Sequence, residues 1–342
     1  MKEETKKIGY AITVAVVFTL LAASIAIRYG LVAKTGPQNV TFKKMLMGTV
    51  VELTLRDDGQ DLDKAAQAGF AEIERLEPVF SNYIKESETT RISLNAGKLV
   101  NISPDTIAVL KKALMVAEVS KGAFDPTIGA LAKVWGPSGE KGVVPSEAEV
   151  KKLLLLVDWK KIIVDETGGK AGLAEKGMSI NLGGVAKGYI AWKAAEAVKA
   201  DGIRRCIIKA GGDMYVFQDM ADNPKPFIIG IQHPRSKALL GEVYVDSGAI
   251  STSGDYERFF EKAGVRYHHI LDPKTGFPAR KSMSVTIVSK DPTLGDALST
   301  AVFVMGPVDG MALIERLDNV EGVIVDANGK VTASSGFKGK IF

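Results

Sequence analysis

Apolar residues recur along this chain with two different periods. In "TVVELTL", residues 49 to 55, they alternate with polar ones from Val51 to Leu55, as in a strand with one buried face. From Asp61 to Leu76 they fall three and four apart, which predicts a helix. Ser103 followed by Pro104 reads as a helix start, because the serine satisfies a free N–H of the first turn and proline has none to satisfy. Ser146 with Glu149 has the form of a capping box, and Asp291 with Pro292 opens a late helix in the same way. Strand-like runs gather between these: "KIIV", "SINL", "CIIKA", "PFIIGI", "GEVYVD", "VTIVS" and "GVIVD". Helices early, strands in the middle and a helix late predict an α+β fold.

The amino terminus follows neither period. Ile8 to Ile27 carries no charge, and Arg28 closes the run. At about 1.5 Å per residue such a helix is as long as a hydrocarbon layer is thick. Lys2, Lys6 and Lys7 precede it, a bias that leaves the amino terminus inside and the rest of the chain outside. A cleaved signal peptide is the competing reading, since "LAASIA" offers small residues to a peptidase, although the run exceeds the usual apolar length of about 7 to 15. The expected organisation is a membrane anchor or signal peptide over 1–28, a tether over 29–44 and one domain over 45–342. In either case the body is exported.

Composition adds mainly exclusions. With 44 basic against 40 acidic residues the net charge is +4, dispersed, with no basic stripe, so nucleic acid is not an expected partner. Cys206 is the only cysteine, which rules out an internal disulfide, and its setting in "CIIKA" predicts a buried, inert thiol.

Three stretches could carry chemistry. "SINLGGVAKGY" runs from an apolar segment through Gly183 and Gly184 to Lys187 and Gly188 and into a helical pattern. It matches neither the dinucleotide fingerprint nor the P-loop spacing. A glycine turn entering a helix still presents free N–H groups and a positive dipole end, to which Lys187 adds a cation. A tight strand-to-helix connection with a surface lysine would look the same. Asp296 and Thr300, four apart on the late helix, share one face amid small apolar residues. With a backbone carbonyl they would suit Mg²⁺; alternatively they are a helix hydrogen-bond pair. In "RYHHILDPKTGFP", adjacent His268 and His269 on an extended segment point to opposite faces, so at most one serves a given site. No further ligands for zinc lie nearby, which leaves acid/base work or a structural histidine. A serine-hydrolase elbow, G-x-S-x-G, is absent.

Taken in order, "MGT" at 47–49, "FSNY", "GAFDPTIG", "NLGGVAKGY", "GGD" at 211–213, "TSGDYERFF", "HHILDPKTGFP" and "DALSTA" resemble one family, the ApbE-type FAD:protein FMN transferases, from about Met47 to the carboxyl terminus. The resemblance implies a single large T-fold-related domain that takes FAD, uses Mg²⁺ on its pyrophosphate, and moves FMN onto a threonine or serine hydroxyl of an acceptor protein, releasing AMP. It implies metal ligation by the Gly184 carbonyl, Asp296 and Thr300, and an FAD pocket of Met47, Tyr83, Ala123, Phe124, Asp125, Asn181, Lys187 and Leu271. His269 is the implied base for the acceptor hydroxyl. Implied acceptors are flavoprotein subunits of the Rnf or Na⁺-pumping quinone reductase type, and the implied location is the inner (cell) membrane, with a single pass and the catalytic domain on the periplasmic or extracytoplasmic side. An Mg²⁺-dependent FAD pyrophosphatase and a non-catalytic flavin-binding protein are the alternatives. Two departures stand out: Asn181 occupies a position where many relatives have aspartate, and the amino-terminal segment has no lipid-accepting cysteine.

Overall fold

A long antiparallel sheet, covered by helices on one face and a smaller sheet on the other, organises the chain in its computed structural model, which describes residues 38–342 except 57–58, 136–141 and 223. The fold belongs to the unit Val40–Phe342. The apolar segment 8–27, read as anchor or signal peptide, lies outside the described residues. Among the described residues no helix is long and apolar enough to cross a membrane.

The chain opens with strands β1 (Asn39–Leu46) and β2 (Thr49–Arg56), then helices α1 (Leu62–Phe80) and α2 (Glu88–Leu94), strand β3 (Leu99–Asn101) and helix α3 (Pro104–Val119). Helices α4 (Gly129–Trp135) and α5 (Glu147–Leu154), strands β4 (Ile162–Asp165) and β5 (Lys170–Leu173), and helix α6 (Ala186–Ala200) follow. Next come β6 (Arg205–Ala210), β7 (Asp213–Gln218), β8 (Phe227–Gln232), β9 (Leu239–Val245), β10 (Gly248–Gly254), β11 (Phe259–Lys262), β12 (Val265–His268) and β13 (Ser282–Ser289). Helices α7 (Pro292–Met305) and α8 (Pro307–Ile314) and strands β14 (Val320–Asp326), β15 (Val331–Ala333) and β16 (Gly339–Ile341) complete the order. The central sheet runs β1–β2–β6–β7–β10–β13–β14–β15, and β16–β9–β8, β3–β5–β4 and β11–β12 form smaller sheets.

Alternation along the central strands sends side chains into two cores. Val51, Leu53, Leu55, Ile208, Val285, Ile287 and Ile324 join the core under the helices. Val216, Ile250, Val323 and Val325, pointing the other way, meet Phe227, Ile229 and Val243 of the smaller sheet. A full burial of one such side chain contributes about 1.5–3 kcal/mol, so a register slip of one residue would be costly in every strand. Predicted caps are in place: the side chains of Asp61, Ser103, Ser146 and Asp291 each accept from a backbone N–H in the first turn of the helix that follows. Cys206 is buried, and desolvation pushes its thiol up to about 12.

Two expectations need correction. The domain begins earlier than residue 45, because β1 starts at Asn39 and lies beside β2, drawing 39–44 out of the expected tether. "SINL" is not a strand of any sheet; Ser179 forms only an isolated bridge with Ile128. Its backbone groups are satisfied by a loop carbonyl and a helix side chain instead, with Asn181 N–H donating to the Pro126 carbonyl at 2.7 Å and Ile180 N–H to Ser93 Oγ of α2 at 3.1 Å. An apolar run that ends in a glycine turn is buried here without a ladder.

Candidate active site

The turn after "SINL" delivers Gly183 and Gly184 to the amino terminus of α6, whose cap residue, Val185, makes no side-chain capping hydrogen bond. Ala186 N–H turns back to the Leu182 carbonyl at 2.9 Å, and a later N–H of the first turn takes a tertiary partner. Asp296 of α7 supplies one, its Oδ2 accepting from Gly188 N–H at 3.0 Å, a carboxylate where the helix dipole favours negative charge. The helices meet this closely because residue 188 has no side chain: a Cβ there would lie 2.1 Å from the Pro292 carbonyl oxygen. Gly188→Ala is therefore expected to destabilise the fold by about 1–3 kcal/mol or more, seen as a lower urea midpoint. A midpoint equal to that of the parent protein would contradict the close crossing.

Lys187, the residue before Gly188, extends its ammonium between two carboxylates. It makes a short hydrogen bond to Asp213 Oδ2, at the start of β7, and lies 3.5 Å from Asp296 Oδ1. Both aspartates are buried, with 2% of each residue exposed. Burial, and then the negative charge of Asp213, push the Asp296 carboxyl well above the usual carboxylate range. The two aspartates in turn hold Lys187 protonated above its ordinary range, against the desolvation that opposes its charge. Sequence reasoning noticed "GGD" but assigned Asp213 no role; nothing local distinguishes it from a turn aspartate.

Thr300 stands one turn along α7 from Asp296, its hydroxyl 3.3 Å from that of Ser253. A Cβ on Gly184 would lie 3.2 Å from Thr300 Oγ1 and 3.4 Å from Phe124 Cε2, so the bare loop backbone borders both. Gly184 thus borders Thr300, and Asp296 lies one turn from Thr300 on α7. Among the described residues no group of three or more His, Cys, Asp or Glu side chains forms a metal site. The donors here are of mixed kind, and they fit a hard divalent cation: two buried carboxylates share one ammonium, Asp213 Oδ1 has no hydrogen-bond partner, and a hydroxyl and an unshielded peptide lie alongside.

The other expected residues surround this cluster unevenly. Asn181 Oδ1 accepts from Gly183 N–H at 2.9 Å and from Asn82 Nδ2 at 2.8 Å, so the asparagine shapes the glycine turn and ties it to the "FSNY" segment. Tyr83, beside Asn82, is 89% exposed, an aromatic ring with nothing packed over it. Phe124 follows Ala123 in a buried turn that Asp125 closes, its carboxylate accepting from Thr127 N–H, Thr127 Oγ1 and Trp159 N–H. Asp125 therefore offers a ligand a shaped loop rather than a free charge, and desolvation raises its carboxyl. Met47 occupies the β1–β2 turn with Gly48, both at positive φ, 53° and 68°, the geometry of a type I′ hairpin. Leu271 is buried against Leu131, Trp135 and Val150, and its backbone is bridged to Pro278. No hydrogen bond or ion pair links Met47, Tyr83 or Leu271 to the charge cluster among the described residues.

The two histidines separate as expected. His268 is buried, with Nε2 2.8 Å from the Ala279 carbonyl and its ring edge-on to Phe303. His269 is exposed, its N–H donating to the Arg258 carbonyl at 3.1 Å. Desolvation, then the charges of His268, Arg258 and Lys187, lower its pKa to about 4. The ring is thus exposed to water and within electrostatic reach of Lys187. In "TSGDYERFF", Ser253 lies on β10, while Asp255 grips Arg235 through two bonds of 2.6 Å and braces the turn before β11.

Fold and site together define a mixed α/β protein with a helix terminus, a lysine and paired carboxylates suited to a phosphate-bearing ligand and a hard cation. The ApbE family model matches residues 47–324, and the chain belongs to the ApbE family. It is 30% identical over 299 residues to an FAD:protein FMN transferase of Klebsiella pneumoniae, covering 86% of this chain and 92% of that one. A protein of the same name from Treponema pallidum is 31% identical over 319 residues, 87% of each chain. Among solved structures, the ApbE protein of Thermotoga maritima superposes with a TM-score of 0.81 at 34% identity, over 87% of this chain and 97% of that one. The flavin transferase ApbE of Vibrio cholerae gives 0.78 at 26%, over 88% and 98%.

Proposed function

We propose that this chain is an FAD:protein FMN transferase that uses Mg²⁺ and places FMN on a threonine or serine hydroxyl of an acceptor protein, with AMP as the second product. The observation that carries the reading is the ammonium of Lys187 held between buried Asp213 and Asp296 at the amino terminus of α6. Similarity to relatives bearing that enzyme name supports it.

In the reaction the acceptor oxygen bonds to the phosphorus of the FMN half, the bond from that phosphorus to the oxygen bridging to AMP breaks, and AMP leaves with the electron pair. His269, neutral near neutral pH, takes the hydroxyl proton. Lys187 holds the pyrophosphate, where positioning and charge matter more than covalent help. Gly184, through its carbonyl, Asp296 and Thr300 would hold Mg²⁺, which when bound supplies charge neutralisation at the diphosphate. Tyr83 is suited to stacking on a flat ring, and Phe124 lies against the glycine loop.

On the same proposal the apolar segment 8–27 anchors the protein in the inner (cell) membrane with its domain on the extracytoplasmic side, where subunits of the Rnf or Na⁺-pumping quinone reductase type are the acceptors. The lysines before the segment support this orientation. The test is to incubate the purified full-length protein with FAD, Mg²⁺ and such an acceptor domain, and to measure the acceptor's intact mass and its modified peptide. A flavin-sized gain on one threonine or serine, with AMP in equal amount, is expected. AMP with free FMN would replace the reading by FAD hydrolysis, and unchanged FAD by flavin binding alone.

A further inference from the structure

One buried charge is not accounted for by the set Gly184, Asp296 and Thr300. Asp213 is 2% exposed, and only its Oδ2 is engaged, by Lys187; its Oδ1 has no hydrogen-bond partner. A lone buried carboxylate oxygen is costly, and one ammonium cannot neutralise two carboxylates. A residue serving only to hold Lys187 would not need to keep an oxygen free in the same cluster. Lys187 contacts Oδ2 of Asp213 and Oδ1 of Asp296, so its ammonium takes up the space that those two oxygens share. A hard cation such as Mg²⁺ usually keeps several of its waters, and carboxylates beyond the inner ligands hold those waters.

We propose that Asp213 is a positioning residue of the cation site, whose free Oδ1 accepts a hydrogen bond from a water on the divalent ion while its other oxygen steers Lys187 toward the phosphates. The inference rests on the proposed function only in requiring a divalent cation beside Asp296. It gives the partnerless oxygen a donor and balances the second carboxylate. Asp213 is held in place as the first residue of β7, and the glycine before it packs closely on β10, a Cβ on Gly212 falling 2.8 Å from the Thr252 carbonyl oxygen.

The test is Mg²⁺ binding by calorimetry, with and without FAD, on the full-length protein and on Asp213→Asn, Lys187→Gln and the double variant. Asp213→Asn is expected to weaken Mg²⁺ binding about tenfold or more, and to do so equally in the Lys187→Gln background. A residue that merely pairs with Lys187 has no task once that lysine is gone, so equal Mg²⁺ affinity of Lys187→Gln and the double variant overturns the proposal. Should Asp213→Asn fail to fold, Asp213→Glu keeps the charge and the ion pair but shifts the oxygens by one methylene. It should weaken Mg²⁺ binding in the same sense, and unchanged affinity would count against the proposal. If the parent protein itself binds no Mg²⁺ in either condition, the cation reading of the site falls, and this inference with it; if the parent binds and the variants bind equally, only the role of Asp213 falls.

Discussion

Asp296→Ala is expected to lower turnover on the order of 10³-fold, equivalent to about 4 kcal/mol of transition-state stabilisation. Asp296 has two tasks that the substitution removes together: it caps α6 through Gly188 N–H, and it brings a buried negative charge to the proposed cation. Asp296→Asn separates them. The amide oxygen can still accept from Gly188, so the unfolding free energy from urea titration is expected to stay within about 1 kcal/mol of the parent, while activity is lost nearly as fully as with alanine. Steady-state rates of flavin transfer at limiting and saturating Mg²⁺ provide the check. Near-normal activity of the alanine variant at limiting Mg²⁺ would remove Asp296 from the reaction.

The second large effect falls on the proton. His269→Ala should slow transfer by about 10²–10⁴-fold and leave FAD affinity, read by flavin fluorescence quenching, close to that of the parent. Equal losses of rate and of FAD binding would instead make His269 a binding residue. The free protein's ring titrates at about 4, so the base form prevails near neutral pH, and kcat/KM should fall only as acidity approaches that value. His269→Ala should abolish that acid limb along with the rate. Acid unfolding must be followed in parallel. Both His268 and His269 have folded values lowered to about 4, below the ordinary histidine value of about 6.5, so the unfolded chain binds more protons between those limits. Stability from the two rings is present above about pH 6.5 and drains as pH falls toward 4, which circular dichroism across that window will register.

Much of the fold was legible because its signals are local. A cap such as Asp291 with Pro292 acts within one turn, and the alternation from Val51 to Leu55 reports one strand's two faces, whatever else surrounds it. "SINL" misled for the same reason: a short alternating run looks alike whether or not a ladder receives its backbone groups, and here the Pro126 carbonyl and the Ser93 hydroxyl receive them. The start of the domain was missed because β1 is mostly exposed, with burial on only two of its positions, and its pairing with β2 rather than its own composition makes it a strand.

At the site, the sequence by itself determined which groups are present and some of their spacing: a bare Gly183–Gly184 turn before a helix, Asp296 and Thr300 on one helical face, two histidines turned apart. It also carried the ordered motifs that mark the family. Only the tertiary structure decided that Asp213, some eighty residues before Asp296 in the chain, shares Lys187 with it, that Gly188 is small because Pro292 crosses it, and that Asp125 is occupied by its own loop. The reason is physical. Periodicity and capping are written over a few residues, whereas the charge a buried group feels depends on which distant elements the packing of two cores brings against it.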